Sequence, residues 1–524
     1  MHQRYELQHA VKKIRTILLN NSGKDGGLEG LIVIDTIKRL CLDHYFQEEI
    51  RAILATHNSE WRPLDKEGGG GDLHEVALRF RLLRQEGYHI TSEAFNKFKD
   101  ETWKFKRELS KDTKGLMSLF EASHLAIQGE DILDEAREFS TQLLKTSLKN
   151  AEQLEATIIG STLSHPYLRS LPRLTAQNFL HNFEVSLKFL HNLVDANGWT
   201  NEVWHLARMD FNMTQMTIQS EITEVYRWWN ELNLMKELKL VRDQPIKWHI
   251  WSLAALPNST MKEERIELTK AISFVYLIDD IFDVYGTLEE LTLFTEAVRR
   301  WEYDNFEGLP NSMKMCVKAL QDTTNDISHK IYTKHGWSCK TCLQNLWADL
   351  CNAFLVEAKW FSSGHMPSSD EYLKNGLVSS GTQLVAVLTF YLLGQGINSK
   401  SIEVLNSFPC IVSSVAKILR LSDDLGSAKD EHQEGYDGSF IDYYRNEHRG
   451  SSAESAQKHV SQLILEAWKC LNMACLSPAP FTTDFASAFF NLARLVPMMY
   501  SYDHNHRLPS LDKLMASLLY ECVD

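Results

Sequence analysis

The stretch "YLIDDIFDVYG", residues 276–286, decides how this chain is read. It sets Asp279, Asp280 and Asp283 into an otherwise apolar run. Carboxylates are seldom buried unless something positive pairs with them. A cationic side chain or a metal ion is therefore expected there. On a helix Asp279 and Asp283 stand at i and i+4, on one face and about 6 Å apart along the axis, with Asp280 about 100° around. Two carboxylates on one face of an apolar wall suit a hard cation such as Mg²⁺. A solvated helix end, where Asp favours the first turn, is the plainer alternative.

A second stretch weighs against that alternative. "ILRLSDDLGSAKDE" carries Asp423, Ser427 and Glu431 at i, i+4 and i+8, one helix face with three oxygen ligands. Magnesium keeps waters and takes one or two carboxylates together with substrate phosphates. Two acidic helix faces set opposite each other would hold a metal cluster and leave room for a diphosphate. Arg420, one turn before Asp423, has the planar fork that grips two oxygens. Arg242, in "VRDQPIKWHIW", reads as a second such arginine or as a surface residue.

The rest of the chain has the make-up of a large globular protein. Its 524 residues are 44% hydrophobic and 24% charged, an ordinary globular balance with ample core. The net charge of −14 has the wrong sign for a general nucleic-acid binder, and no run of Lys and Arg forms a dense local patch. Nine scattered cysteines argue against a disulfide framework. The pair Cys339 and Cys342 forms a CxxC without a second half to complete a zinc site. No segment approaches 18 unbroken apolar residues, so no membrane span is expected. The N-terminal "MHQRYELQHAVKKIRTILL" lacks the apolar centre of a signal peptide and the Ser-rich look of a transit peptide. A cytoplasmic location follows as the expectation, with the plastid as the alternative if a transit peptide has been removed.

Helical periodicity dominates. In "DLHEVALRFRLLRQEGY", Val76, Phe80 and Leu83 fall on one face. Alternating strand patterns are scarce, which predicts an all-α protein. A boundary near 205 divides it into residues 1–205 and 206–524.

Five stretches, "LIDDIFDVYGTLEELTLFTEAVRRW", "RLSDDLGSAKDEHQEGYDGS", "VYRWWNEL", "LRFRLLRQEGYHIT" and "LFEASHLAIQGEDILDEA", resemble plant class I terpene synthases over almost the whole chain. The resemblance implies two helical domains: an N-terminal one that is catalytically silent and a C-terminal metal-binding α-barrel. It implies a prenyl diphosphate substrate, three Mg²⁺ ions with Mn²⁺ as a substitute, and a monomer. Matched residue by residue, Asp279, Asp283, Asp423, Ser427 and Glu431 are the metal ligands. Arg242 and Arg420 bind the diphosphate alongside Asp279, Asp283 and Asp423. Metal-triggered loss of diphosphate leaves an allylic cation, which aromatic faces shield at about 2 kcal/mol each when desolvated. Trp251, Phe274, Tyr276, Tyr500 and Tyr502 are the candidates, and Gly381 matches a helix break whose carbonyl faces the cation. For each aromatic, plain core packing is the competing reading.

The departures from the family pattern point to the product. The tandem-arginine motif of many cyclising members is absent, since Arg299-Arg300 lies after the aspartate motif. The family's Arg-x-Arg ends here in Gln244. "VRDQPIKWHIW" resembles the subfamily that makes acyclic alcohols such as linalool and nerolidol. Acyclic or cyclic hydrocarbons are the alternative products. A prenyl diphosphate synthase would carry two DDxxD motifs, a protonation-initiated cyclase a DxDD, and a non-catalytic relic would lack ligands that are all present here.

Overall fold

The computed structural model describes residues 2–20, 27–59, 71–191, 199–239, 241–304, 306–427, 438–501 and 508–521. Among these residues the regular structure is helical, as expected, with one isolated antiparallel bridge between Lys99 and Phe105. Contacts divide the chain into Met1–Met216 with Leu514–Asp524, and Thr217–Lys513.

In the first unit the helix Leu73–Gln85 shows how local sequence sets the element. The Asp72 side chain accepts a hydrogen bond from the Glu75 N–H and caps its start. Phe80 and Leu83 are fully buried, and Val76 packs partly against the same core, which includes Leu31, Ile34, Leu54, Phe95 and Leu119. Within that core Asp35 lies between Arg39 and Arg81, at 2.9 and 2.5 Å. Both guanidiniums sit over the Tyr167 ring. A buried carboxylate is thereby paired twice, which offsets its desolvation.

In the second unit five helices pack in a closed ring. Lys262–Asp280 packs on Thr382–Leu393, which packs on Cys410–Ser427. That helix packs on Thr483–Met499, which packs on Pro245–Ala255, and Pro245–Ala255 returns to Lys262–Asp280. The two acidic motifs lie on ring members that are not neighbours. One helix separates them on one side and two on the other.

Two stretches, Ser369–Leu393 and Ser399–Gly426, are long and apolar enough to cross a membrane by length and composition alone, as core helices of globular proteins also are. Their apolarity has a local cause. The first is mostly buried and is broken in two at Gly381. The second includes most of the ring helix that carries Arg420, Asp423 and Asp424. Among the described residues no cysteine is in a disulfide. Burial pushes the Cys339 and Cys342 thiols up, and Cys339 Sγ lies 3.6 Å from Ser328 Oγ.

Candidate active site

The first motif is not a plain helix. The helix Lys262–Asp280 runs into a π turn, Ile281–Tyr285, closed by Gly286 N–H donating to Ile281 O at 3.0 Å. Thr287 then starts a new helix through a capping box with Glu290. Asp283 lies within this wider turn, and Asp279 is near the end of the helix before it. Such single π turns recur at functional sites. Asp283 is exposed and the Asp279 side chain is 32% exposed, whereas Asp280 is buried.

Asp280 has a different task from its neighbours. Its Oδ2 accepts the Arg242 backbone N–H at 2.7 Å, and its Oδ1 accepts Arg242 Nε at 2.7 Å. The same guanidinium donates through Nη2 to Asp279 Oδ2 at 2.6 Å. Its face lies over the Tyr276 ring, 5.1 Å from the centroid. The loop is also tied at Asp243, whose Oδ1 accepts Trp229 Nε1–H at 2.8 Å. Arg242 is thus held at the end of the motif helix by side chain and backbone together. Burial opposes its charge, but Asp279 and Asp280 outweigh that and strengthen its hold on the proton. Asp279 is pushed up by burial and by Asp280, against the pull of Arg242.

The second motif repeats the division of labour. On Cys410–Ser427, Asp423 is partly exposed and Asp424 is buried. Asp424 accepts the Tyr372 hydroxyl at 3.0 Å and the Phe440 N–H at 3.0 Å. Burial raises its carboxyl to about 7, with the Asp423 charge adding and Arg420 opposing. Arg420 donates to Ser379 Oγ at 2.8 Å, to Glu357 Oε1 at 3.3 Å and to the Tyr372 oxygen at 3.4 Å. It runs tightly along Gly376, where a Cβ would come within 2.8 Å of Nε. Ser427 ends the helix; its side chain lies outside the described residues, as do Glu431 and Tyr502.

Electrostatic coupling links the two motifs. The Arg420 charge acts on Asp279, and the Asp423 charge acts on Tyr276. Among the described residues no three His, Cys, Asp or Glu side chains converge on one point. What is present fits a divalent cation that keeps its waters: hard oxygens on two helices, with a carboxyl on each pushed up by burial.

The expected pocket residues divide. Trp251 Nε1–H donates to the Tyr276 hydroxyl at 2.9 Å, and the Tyr276 ring stacks on Trp248 at 5.7 Å. Tyr276 is three residues before Asp279, on the same side of the helix. Phe274 is two residues from Tyr276 and so about 200° around. It is fully buried against Trp228 and lines a small apolar gap with Ala271, Thr323, Leu343, Trp347 and Leu384. Of the two candidates Phe274 and Tyr276, it is Phe274 whose side chain packs in the core. Gly381 has φ +67° and sits against Val275, where a Cβ would come within 2.9 Å, so both conformation and space require glycine. Its carbonyl accepts the Val385 N–H at 3.1 Å, the first bond of the following helix. The Tyr500 backbone lies against Gly426, where a Cβ would come within 2.7 Å of its oxygen.

The sequence pattern singles out Asp280 without giving it a role of its own, and it leaves Asp424, Glu357, Ser379 and Tyr372 unassigned. The doubled aspartate in both motifs was the available signal for the first two.

Two family models match the chain: the terpene synthase N-terminal domain over residues 1–163, and the terpene synthase family metal binding domain over residues 230–470. A probable terpene synthase 13 of Ricinus communis is 49% identical, over 95% of this chain and 85% of its own length. An (E)-nerolidol synthase of Cannabis sativa is 47% identical, over 98% of this chain and 92% of its own. The chloroplastic S-(+)-linalool synthase of Arabidopsis thaliana is 44% identical, over 97% and 87%. Among solved structures, isoprene synthase of grey poplar (Populus x canescens), in complex with three Mg²⁺ ions and dimethylallyl-S-thiolodiphosphate, superposes with a TM-score of 0.88 at 34% identity, covering 99% of this chain and 97% of that one. The chain belongs to the terpene synthase family, as a lyase with that family's metal-binding domain.

Proposed function

We propose that this enzyme ionises geranyl diphosphate, farnesyl diphosphate or both, and captures the allylic cation with water to give linalool or nerolidol. The observation that carries the reading is the pair of acidic helices in one ring, with Arg242 bonded to Asp279 on the first and Arg420 one turn before Asp423 on the second. Three Mg²⁺ ions, or Mn²⁺ in their place, would be held by Asp279, Asp283, Asp423, Ser427 and Glu431. When bound, they supply the Lewis-acid charge that makes diphosphate a leaving group. Arg242 and Arg420 bind the diphosphate oxygens, and Asp280 keeps Arg242 in place when Asp279 turns to a cation. Trp251 presents an aromatic face to the developing charge.

Gln244 supports the acyclic product. It is exposed, makes no capping hydrogen bond, and stands two residues from Arg242. Less positive charge beside the diphosphate weakens its return to the tertiary carbon, the step that permits cyclisation. The relatives named as nerolidol and linalool synthases point the same way. Incubation with geranyl diphosphate and Mg²⁺ in ¹⁸O-water, followed by mass spectrometry, tests the reading. The label is expected in linalool. Cyclic or acyclic hydrocarbon as the main product, or unlabelled alcohol, overturns it.

A further inference from the structure

We propose that the Tyr276 hydroxyl holds the water that captures the cation, and that Trp251 sets the direction in which that hydroxyl points. The inference rests on the water-capture reading and adds a residue to it.

Indole has one donor and no acceptor, while a phenol has one donor and two lone pairs. Trp251 Nε1–H donates to Tyr276 Oη at 2.9 Å, so the Tyr276 proton has no acceptor along that line. Among the described residues this is the hydroxyl's one hydrogen bond. The ring itself has little freedom: Arg242 lies over one part of it at 5.1 Å, and Trp248 stacks on it at 5.7 Å with 16° between planes. Tyr276 is only partly buried, on a helix whose neighbouring positions Leu277, Ile278 and Phe274 are fully buried. A fixed, neutral O–H donor therefore stands one turn before Asp279, on the same side of the helix. Burial raises the phenol well above its ordinary value, so it stays protonated.

The chemistry balances. Water accepts the Tyr276 O–H through one lone pair and gives the other to the tertiary carbon of the allylic cation, forming the C–O bond. The resulting oxonium loses one proton to the released diphosphate. Without a held water, loss of a methyl proton from the same cation gives a hydrocarbon. The hydroxyl thus sets the partition between alcohol and hydrocarbon.

The test is Tyr276→Phe, which keeps the ring under Arg242 and against Trp248. With geranyl diphosphate and Mg²⁺, the alcohol-to-hydrocarbon ratio should fall about tenfold. A crystal structure of the unsubstituted protein should show an ordered water within hydrogen-bond distance of Tyr276 Oη, absent from the variant. An unchanged ratio in folded Tyr276→Phe overturns the proposal while leaving water capture intact; an unsubstituted enzyme that makes no alcohol overturns both. Should Tyr276→Phe fail to fold, Trp251→Phe frees the hydroxyl to rotate. That variant should lower the same ratio by a smaller factor, and no change there refutes the orienting role of the indole.

Discussion

On the first acidic helix the arginine arrives from a loop and grips the motif's own carboxylates. On the second it grows from the motif helix and is held by residues elsewhere. Arg242 depends on Asp279 and Asp280, whereas Arg420 leans on Ser379, Glu357 and Tyr372. On the proposed function, the first arm would couple metal binding to diphosphate binding through shared side chains. In the second arm the two tasks fall to separate partners, so a substitution there should disturb one task at a time.

The largest effects should follow loss of the first arm's exposed carboxylates. Asp279→Ala and Asp283→Ala should each lower turnover by about 10³-fold through lost metal ligation. Folding should survive, since neither side chain is buried in the core; circular dichroism beside product assay checks this. Near-normal turnover in Asp283→Ala would remove it from the ligand set.

Next comes the contrast between the buried aspartates. Asp280→Asn weakens the hold on a partly exposed guanidinium, so about 1–2 kcal/mol of stability is at stake after allowing for solvent. Turnover should fall roughly 10- to 100-fold, because Arg242 loses its fixed position. Asp424→Asn should cost less turnover, since Asp424 fastens the Tyr372 hydroxyl and the Phe440 N–H. Thermal melts and steady-state kinetics on the pair decide it; the reverse order of damage would break the comparison.

Arg420→Lys sharpens it further. An ammonium keeps the charge but loses the fork. A fall of about tenfold in ionisation rate is expected, with the magnesium requirement little changed because Arg420 binds no metal. Glu431→Gln should do the opposite: a roughly fivefold higher magnesium requirement, since one anionic ligand turns neutral. Titration of both variants with Mg²⁺ separates the two tasks, and identical titration curves would show them inseparable.

Much of this was legible from spacing. Two acidic faces with arginines beside them are a periodic pattern, and period 3.6 is what a helical sequence displays best. The resemblance supplied the two-domain expectation and the barrel. Other features were hidden for physical reasons. The π turn after Asp280 depends on how the chain restarts at Thr287, not on any periodicity. Glu357 and Ser379 reach Arg420 from other helices, and no local pattern marks such partners. Phe274 and Tyr276 look alike in composition, yet helix geometry turns one into the core and the other towards Arg242 and Trp251.

The smallest effect concerns the loop that carries Arg242. Gln244 is exposed and stands just before Pro245, which starts the next helix, so a longer side chain meets no packed core. Gln244→Arg would add a second guanidinium near the first. More positive charge there should keep the diphosphate closer to the cation and favour its return to the tertiary carbon. The rejoined intermediate can rotate and cyclise, where the captured alcohol cannot. An exposed charge is worth roughly 1 kcal/mol or less, so the cyclic-to-acyclic ratio should rise by no more than about fivefold. Gas chromatography of products from geranyl diphosphate measures it. Complete absence of cyclic product in the variant would mean that the shape of the pocket, rather than charge beside the diphosphate, keeps the chain open.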